Sequence, residues 1–380
     1  MKKNIHVLYI ITKLELGGAQ KVCLSLFNGL NTQTTTTFLL SGNSGPLVES
    51  VKDNSQVILL DSFTREVGIK ALWLEIKNFY SVFCQIRVLK KQYPNLIVHT
   101  HSTKAGLIGR WAAFFAGVKQ RVHTVHGYAF HDHQNSIVWY SIYLLELLTS
   151  FITTHYVCVS SYDIKTSTRL FPRFARKHTL IRAAVDYEKF YIPARTLPAF
   201  PAENSIFIFG TVSCFKPQKN LFDLLQAFEY AYRNNPRVRL EIIGDGAQRQ
   251  AIQAWIKEHA LESVITLHGW QPNVAPIMST WHAFAMSSLW EGLPCALVEA
   301  RLLKLPVLSY NTGGIGDIIT HGQNGLIYPQ KAWESLGAGM LELSQNDLLY
   351  TKFQANPDDL SQFATTIMLS QHQELYQKLA

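Results

Sequence analysis

The feature that most constrains this chain is a repeated alternation of short apolar runs and longer amphipathic stretches. The first half begins with IHVLYII, a Gly17-Gly18 turn and AQKVCLSLFNGL, and QVILLD, LIVHTHS and RVHTVHG follow with helical stretches between them. Apolar runs of this length predict buried strands, and the stretches between them predict helices. The alternation therefore indicates a parallel, doubly wound α/β sheet.

The chain length and one proline-rich segment predict two domains. A chain of 380 residues is too long for one ordinary core. Residues 191–205 read YIPARTLPAFPAENS, with three prolines and little periodicity, and the alternation restarts after them. We predict an N-terminal domain over 1–190, a linker over 191–205, a C-terminal domain over 206–345 and closing helices over 346–380.

Composition and cysteine placement predict a well-packed protein of a reducing compartment. Hydrophobic residues make up 47% of the chain and charged residues 16%, which is typical of a globular protein. The five cysteines are scattered and form no C-x-x-C pair, so we expect neither a disulfide framework nor a thiolate metal site, and a cytoplasmic location. The first apolar run ends at Thr12 with no cleavage site after it, which favours a strand over a signal peptide.

Two features raise the question of an anionic or membrane partner. The formal charge is +8, but the basic residues are dispersed and no nucleic-acid-binding signature occurs. A phosphorylated substrate or an anionic membrane surface fits better, and a basic protein without such a partner stays open. No uncharged run reaches the roughly 20 residues that span a bilayer. The nearest, 136–154, is interpreted either as a core helix or as a segment that dips into a membrane interface.

The densest group of candidate site residues is the segment SLWEGLPCALVEA. Glu291 lies in its predicted loop, and Glu299 lies two turns further on in a predicted helix. The free N–H groups and the dipole of that helix start can bind a diphosphate. Glu299 could accept hydrogen bonds from both hydroxyls of a ribose. A surface loop followed by an ordinary helical glutamate would give the same pattern. The loop residues counted with the pair are Gly292, Leu293 and Pro294.

In their order along the chain, these motifs resemble those of the family 4 retaining glycosyltransferases of the GT-B fold. That family carries a glutamate pair with seven residues between, which Glu291 and Glu299 match. Its glycine-rich turn before an acidic helix is matched by NTGGIGDII, its next strand by HGQNGLIYP and its diphosphate loop by GTVSCFKPQKNLFDLLQAF. LGGAQKVCLSL matches its first glycine loop, and HTHSTKAGLIGRWAAFFAGV with HTVHG matches its acceptor-side motifs, as in members that build bacterial surface polysaccharides. The resemblance spans essentially the whole chain.

The resemblance implies an α/β, GT-B fold with two Rossmann-like doubly wound domains facing across a cleft. It also implies that the last helix, which ends in a Y-x-x-L pattern, packs from about residue 358 onward on the N-terminal domain. Roles for single residues follow from the same resemblance. Glu291 would orient sugar hydroxyls, His126 would reach the sugar or the acceptor, and Lys219 would neutralise the departing diphosphate. The further donor-binding residues are Gly17, Gly18, Lys216, Asp245, Gly246 and Trp270.

One departure from the family bears on the diphosphate. An arginine usually stands five residues before the lysine, where this chain has Cys214, and Lys216 would compensate. No cofactor or metal is expected. The Asp-x-Asp of cation-dependent GT-A transferases is absent, and the histidines close to His126 in the sequence lack carboxylates at ligand spacing. The resemblance instead implies that the leaving diphosphate's own oxygen helps to deprotonate the acceptor on the same face.

The predicted activity is metal-independent, retaining transfer of a hexose or N-acetylhexosamine from a nucleotide-diphosphate sugar. UDP is the favoured nucleotide, and a glycan or a polyprenyl-linked or other lipid-linked intermediate of surface polysaccharide is the favoured acceptor. Peripheral contact with the inner face of an anionic cytoplasmic membrane is compatible with this activity. A GT-B sugar-nucleotide epimerase and a non-catalytic nucleotide-sugar-binding protein are the alternatives. A nicotinamide or flavin enzyme is disfavoured, because no G-x-G-x-x-G follows the first strand.

Overall fold

The computed structural model describes residues 4–63, 69–191, 198–203 and 205–380. The chain divides into two compact units, one formed by 1–184 with 365–380 and the other by 185–364. Each unit contains one parallel sheet with helices between its strands. This architecture confirms the predicted fold class of two Rossmann-like α/β domains.

The first sheet has seven strands. In chain order they are β1 (Ile5–Ile11), β2 (Thr35–Gly42), β3 (Val57–Leu60), β4 (Leu96–His101), β5 (Gln120–Val125), β6 (His155–Cys158) and β7 (His178–Leu180). Across the sheet the order is β3-β2-β1-β4-β5-β6-β7, and all neighbours are parallel. All six residues of β4 are buried, as expected for a parallel strand with helices on both faces of its sheet.

The α-helices that connect these strands lie on both faces of the sheet. They are α1 (Gly18–Gly29), α2 (Ile69–Gln92), α3 (Thr103–Phe115), α4 (Ser136–Ile152) and α5 (Ser161–Leu170). The chain moves toward β3 through α1 and toward β7 through the later helices. Because parallel crossovers are right-handed, α2 to α5 share one face and α1 lies on the other. In agreement with this, α3 contacts both α2 and α4.

The second sheet has six parallel strands. They are β8 (Phe207–Val212), β9 (Val238–Ile243), β10 (Ile265–Gly269), β11 (Ala283–Met286), β12 (Val307–Tyr310) and β13 (Gly325–Tyr328), in the order β10-β9-β8-β11-β12-β13. The helices of this unit are α6 (Tyr187–Phe190), α7 (Leu221–Asn234), α8 (Arg249–Glu258), α9 (Ala275–Met278), α10 (Cys295–Leu302), α11 (Trp333–Gln345) and α12 (Asp347–Ala355). Leu224, Leu225 and Phe228 place the apolar stripe of α7 in the core, which also takes Leu336 and Met340 of α11.

The boundary between the units lies at 184/185, whereas the sequence predicted a domain end at 190. The physical reason is a backbone contact: Val185 N donates to Phe363 O at 3.0 Å, and Val185 pairs with Ala364 as an isolated bridge. Residues 185–190 therefore belong to the second unit. Parts of the predicted linker, 192–197 and 204, lie outside the described residues.

The last helix, α13 (Thr365–Leu379), belongs to the first unit. The hydroxyl of Tyr376 lies 3.1 Å from that of Tyr9 and 2.5 Å from Nδ1 of His99, in the buried interior. Residues 358–364 differ from the prediction, because they stay with the second unit. Asp358 there accepts from Nε of Arg301 at 2.7 Å, and both side chains are buried.

The structure gives more detail for three local segments. The segment after β12 is a 3₁₀ helix, Gly313–Asp317, and not an acidic α-helix. Pro294 is the residue directly before the first turn of α10, with extended φ/ψ of −77° and 98°. Within the described ranges, no helix combines the length and apolar character that crossing a bilayer would require. The predicted segment 136–154 forms α4, a surface helix with only part of its residues buried.

Candidate functional site

The second sheet has a topological switch point between β8 and β11. From β8 the chain continues to β9 and β10 on one side, and from β11 it continues to β12 and β13 on the other. The loops that follow β8 and β11 therefore diverge and leave a crevice at the carboxyl ends of the strands, where open α/β sheets bind ligands. Lys219 follows β8 and Glu291 follows β11.

The structure joins these two predicted residues directly. Nζ of Lys219 lies 2.5 Å from Oε1 of Glu291, and the two side chains are only 19% and 8% exposed. Lys219 ends the 3₁₀ helix Pro217–Lys219. The hydroxyl of Ser287 donates to the carbonyls of Lys219 and Asn220, at 3.1 and 2.8 Å, and so ties the end of β11 to this turn. The pair is a charge-neutral bridge between the two switch-point loops.

The loop after Glu291 is held by the glycine turn that follows β12. Gly313 has φ of +52°, and a Cβ there would lie 2.1 Å from the carbonyl oxygen of Glu291, so a side chain has no room. Gly314 N donates to Gly292 O at 2.7 Å. Leu293 and Pro294 are buried beside it, and Glu299 in α10 is 9% exposed. The predicted residues of this segment therefore form one rigid loop and helix start.

The loops after β8 and β9 contact each other. Phe215 N donates to Asp245 O at 2.8 Å, and a Cβ on Gly246 would lie 2.6 Å from Phe215 O. The carboxylate of Asp245 accepts from Gly246 N at 2.7 Å and from Arg249 Nη1 at 2.8 Å. Arg249 was missed by the sequence interpretation, although its i+4 spacing at a helix start was a usable signal.

The remaining donor-side predictions differ in exposure. Trp270 follows β10 and is 49% exposed, which suits a flat ring that stacks on a base. Lys216 is exposed, while Cys214 is half-buried two residues before it. Gln218 is a further residue that sequence reasoning missed. Its side chain donates to the carbonyl of Trp290 at 2.5 Å and so adds a second tie between the switch-point loops.

The first unit has its own switch point, between β1 and β4. Gly17 and Gly18 begin α1 after β1, and His126 follows β5. Nε2 of His126 lies 3.0 Å from Nδ1 of His101, which is completely buried at the end of β4. Burial, with a contribution from His372, lowers the pKa of His126 to about 4, so the ring is neutral at neutral pH. His126 can therefore act as a neutral hydrogen-bonding group whose orientation His101 fixes.

The other histidines near β4 and β5 bond hydroxyl groups. His99 Nε2 lies 2.7 Å from Thr124 Oγ1, and His123 Nδ1 lies 2.9 Å from Thr100 Oγ1. Burial lowers the pKa of both rings well below the usual value. Among the residues that the structure describes, no group of three or more His, Cys, Asp or Glu has the arrangement of a metal site.

Comparisons with known proteins bear on both units. Residues 16–189 match the family model Glycosyltransferase Family 4, and residues 198–358 match the family model Glycosyl transferases group 1. The chain is 28% identical over 342 residues to the UDP-Gal:alpha-D-GlcNAc-diphosphoundecaprenol alpha-1,3-galactosyltransferase of Escherichia coli, covering 88% of this chain and 86% of that protein. It is 24% identical over 295 residues to the capsular polysaccharide biosynthesis glycosyltransferase CapM of Staphylococcus aureus, covering 73% and 74%.

Solved structures show the same fold along the chain. Sucrose-phosphate synthase from Thermosynechococcus elongatus has a TM-score of 0.81 at 17% identity and covers 99% of each chain. Anabaena HepE in complex with UDP-glucose has a TM-score of 0.77 at 16% identity and covers 98% of this chain and 100% of that one. Identities this low speak for the GT-B fold alone. With both of its halves matched by family models and this fold along its length, the chain belongs to the family 4 glycosyltransferases of the GT-B fold.

Proposed function

We propose that this glycosyltransferase moves a hexose or N-acetylhexosamine, with retention, from a UDP-sugar to a lipid-linked acceptor during surface polysaccharide synthesis. The observation that carries the donor part is the Lys219–Glu291 pair at the switch point of the second sheet. The acceptor part is supported by the Escherichia coli relative, whose name specifies UDP-Gal and a diphosphoundecaprenol-linked sugar. The reaction would then take place at the cytoplasmic face of the membrane.

In the proposed mechanism, Lys219 binds the diphosphate of the donor and Glu291 binds its sugar. The ammonium of Lys219 has three N–H groups and donates one of them to Glu291. It can therefore also donate a hydrogen bond to a diphosphate oxygen. Negative charge grows on that diphosphate as the bond to the sugar breaks. Lys219 and the N-terminal end of α10 would stabilise this charge. Glu291 would accept a hydrogen bond from a hydroxyl of the sugar. Because Lys219 supplies the positive charge, we propose that no divalent cation is needed.

The remaining candidates receive supporting roles in the same proposal. Glu299 would accept hydrogen bonds from the ribose hydroxyls. Asp245, Gly246 and Trp270 would surround the base. The neutral ring of His126 would hydrogen-bond the sugar or the acceptor. The acceptor proton would pass to an oxygen of the leaving diphosphate on the same face, which needs no protein base and produces retention.

The donor proposal is tested by thermal stabilisation against a panel of UDP-, GDP- and ADP-sugars. A ligand at 100 times its dissociation constant adds about 2.7 kcal/mol to the free energy of unfolding, so one UDP-sugar should stand out. A panel in which only GDP- or ADP-sugars stabilise the protein would contradict the choice of nucleotide.

The reaction itself is tested with the selected donor and a diphosphoundecaprenol-linked sugar, in the presence of a metal chelator. We expect transfer, with the anomeric configuration of the donor kept in the product when it is followed by NMR. An inverted product would contradict retention, and activity restored only by added cation would contradict metal independence. An epimerised nucleotide-sugar formed without acceptor would identify an epimerase instead.

A further inference from the structure

Helix α4 is apolar on its exposed side as well as on the side that packs against the core, where Trp139, Tyr143 and Leu147 lie. Its buried side also carries polar residues: Glu146 is 3% exposed and pairs with Arg110 at 2.8 Å, and Thr149 accepts from Trp111 Nε1 at 2.9 Å. Apolar residues also line its exposed side: Ile137, Tyr140, Leu144, Leu148 and Phe151 have exposed fractions between 48% and 76%. Their spacing of three or four residues places them on one stripe of the helix.

The neighbouring helix α3 also exposes large apolar side chains. Phe114 and Phe115, at the end of α3, are 43% and 63% exposed, and Phe115 meets Phe79 of α2 edge to face at 6.2 Å. We call the exposed stripe of α4 together with Phe114 and Phe115 the apolar face. No exposed residue of α4 is charged, because Glu146, its one charged residue, is buried. An exposed face of this kind marks an interaction site.

Positive charge borders the apolar face where α4 ends. Arg121 donates from Nε to Ile152 O at 2.6 Å, and its guanidinium lies 5.5 Å from the ring centroid of Phe114. Lys177 donates to Thr153 O at 2.9 Å, and burial together with the nearby Arg110, Arg173 and Arg121 lowers its pKa to about 8. We call this border the basic rim; its members are Lys119, Arg121, Arg173 and Lys177.

The charge of the whole chain is divided in the same way. Residues 1–184 and 365–380 contain 22 Lys and Arg against 10 Asp and Glu, a formal charge of +12. Residues 185–364 contain 13 Lys and Arg against 17 Asp and Glu, a formal charge of −4. The excess positive charge of the chain thus lies entirely in the unit that carries the apolar face.

We propose that the apolar face and the basic rim dock the protein on an anionic phospholipid bilayer. A bilayer offers acyl chains for the leucines and phenylalanines and phosphates for the lysines and arginines, side by side in one plane. A second copy of this chain would instead bring two units of like charge together. The inference deepens the proposed function, because a lipid-linked acceptor lies in such a bilayer, but its contacts and its test stand apart from that function.

The test uses the full chain and measures sedimentation with vesicles. One set is phosphatidylcholine alone, and the other contains about one third phosphatidylglycerol, a lipid of anionic headgroup. We expect binding to the anionic vesicles to be about tenfold tighter and to weaken as salt is added. Equal binding to both sets, or binding to neither, would overturn the proposal.

Paired variants assign the binding to the surface. Leu144→Ser with Leu148→Ser should weaken vesicle binding about tenfold, since it removes apolar area that would enter the bilayer. Both side chains are exposed, so the thermal midpoint should not fall. Leu348→Ser is the matched control, because Leu348 is 85% exposed in the other unit, and it should bind vesicles like the parent. Unchanged binding by the double variant would overturn the proposal.

Two further measurements separate the remaining explanations. Lys119→Gln with Arg173→Gln should lower the preference for anionic vesicles several-fold while leaving the weak binding to neutral vesicles in place. Sedimentation velocity of the parent should show a monomer; a dimer that Leu144→Ser with Leu148→Ser dissolves would identify a second copy as the partner and overturn the proposal. UDP-sugar affinity, measured by calorimetry, should be the same in the parent and in every variant. A parent that binds anionic vesicles but no nucleotide-sugar would support docking and contradict the proposed function alone.

Discussion

At the residue scale, the site depends on how two opposite charges share a partly buried position. Lys219 and Glu291 are separated by 72 positions in the chain, yet their charged atoms lie 2.5 Å apart. A buried charge without a partner is costly, so each side chain makes the other tolerable. In the proposed mechanism the same pair binds an anionic diphosphate on one side and sugar hydroxyls on the other. Stability and donor binding would then be linked at this point.

Replacing Glu291 tests that link. Glu291→Gln keeps the shape but removes the charge that is proposed to orient the donor, so we expect transfer to fall by about 10²-fold or more while the protein stays folded. The rate of transfer with the selected UDP-sugar, and the circular dichroism spectrum, measure the two effects. Lys257→Gln, at an exposed position of α8, controls for the change to glutamine. Near-normal turnover by Glu291→Gln would contradict the assigned role.

Buried histidines make the stability of the first unit depend on pH. The pKa of His372, which is 1% exposed, is lowered to about 4 by burial, whereas an unfolded histidine binds its proton near pH 6.5. The unfolded state thus binds more protons between these values, and the free energy of unfolding should fall as pH decreases from about 6.5 to 4.

His372→Phe removes one of these groups. We expect its slope of unfolding free energy against pH, measured by urea denaturation, to be smaller than that of the parent by up to about 1.4 kcal/mol per pH unit. The effect should be confined to the range below about pH 6.5. Parallel curves for the two proteins across that range would show that His372 does not contribute.

At the element scale, helices α3 and α4 are joined by a buried ion pair. Arg110 is completely buried, Glu146 is 3% exposed, and Arg110 also donates to Thr153 Oγ1 at 3.1 Å and to Gly106 O at 2.7 Å. This network fixes which side of α4 faces the protein. It also explains why a helix with so many leucines is not simply part of the core.

Breaking the pair should destabilise the protein strongly. Glu146→Ala leaves the guanidinium of Arg110 buried without its counter-ion, which costs about 3–5 kcal/mol. Urea denaturation measures the change, and Arg110→Met combined with Glu146→Leu should recover much of it, because no charge then remains buried. Lys52→Ala, which removes the exposed Lys52–Glu49 pair, should leave the unfolding free energy unchanged. A loss no larger than that of Lys52→Ala would contradict the argument.

The elements themselves were largely predictable. The apolar runs IHVLYII, LIVHTH and FIFGTV form β1, β4 and β8, because a strand buried on both faces needs a continuous apolar run. The turn after β12 was less predictable. Gly313 adopts φ of +52° where it passes the Glu291 carbonyl, a tertiary contact, and Gly313–Asp317 form a 3₁₀ helix.

At the scale of the whole molecule, the chain ends in the unit in which it began. Helix α13 packs near α1, and Tyr376 completes the hydrogen bonds of Tyr9 and His99. Removing residues 365–380 would expose the buried partners of that helix. We expect calorimetry to show a new, earlier unfolding transition for the first unit, while the second unit unfolds later and is still stabilised by a UDP-sugar.

The milder variant Tyr376→Phe makes the same point without a truncation. It should cost about 1–3 kcal/mol, because it leaves buried polar atoms of Tyr9 and His99 without a partner. A truncated protein that unfolds like the parent would show that α13 adds nothing to the first unit.

The sequence by itself determined the fold class, the number of domains, the family and most of the residues proposed for the donor site. These properties depend on periodicity, turn residues and short motifs, which are local. The tertiary structure alone decided that Lys219 meets Glu291, that His101 holds His126 and that Leu144 and Leu148 of α4 face outward. The physical reason is that such contacts depend on strand order and on which side of a helix is covered, and neither is encoded in a local pattern.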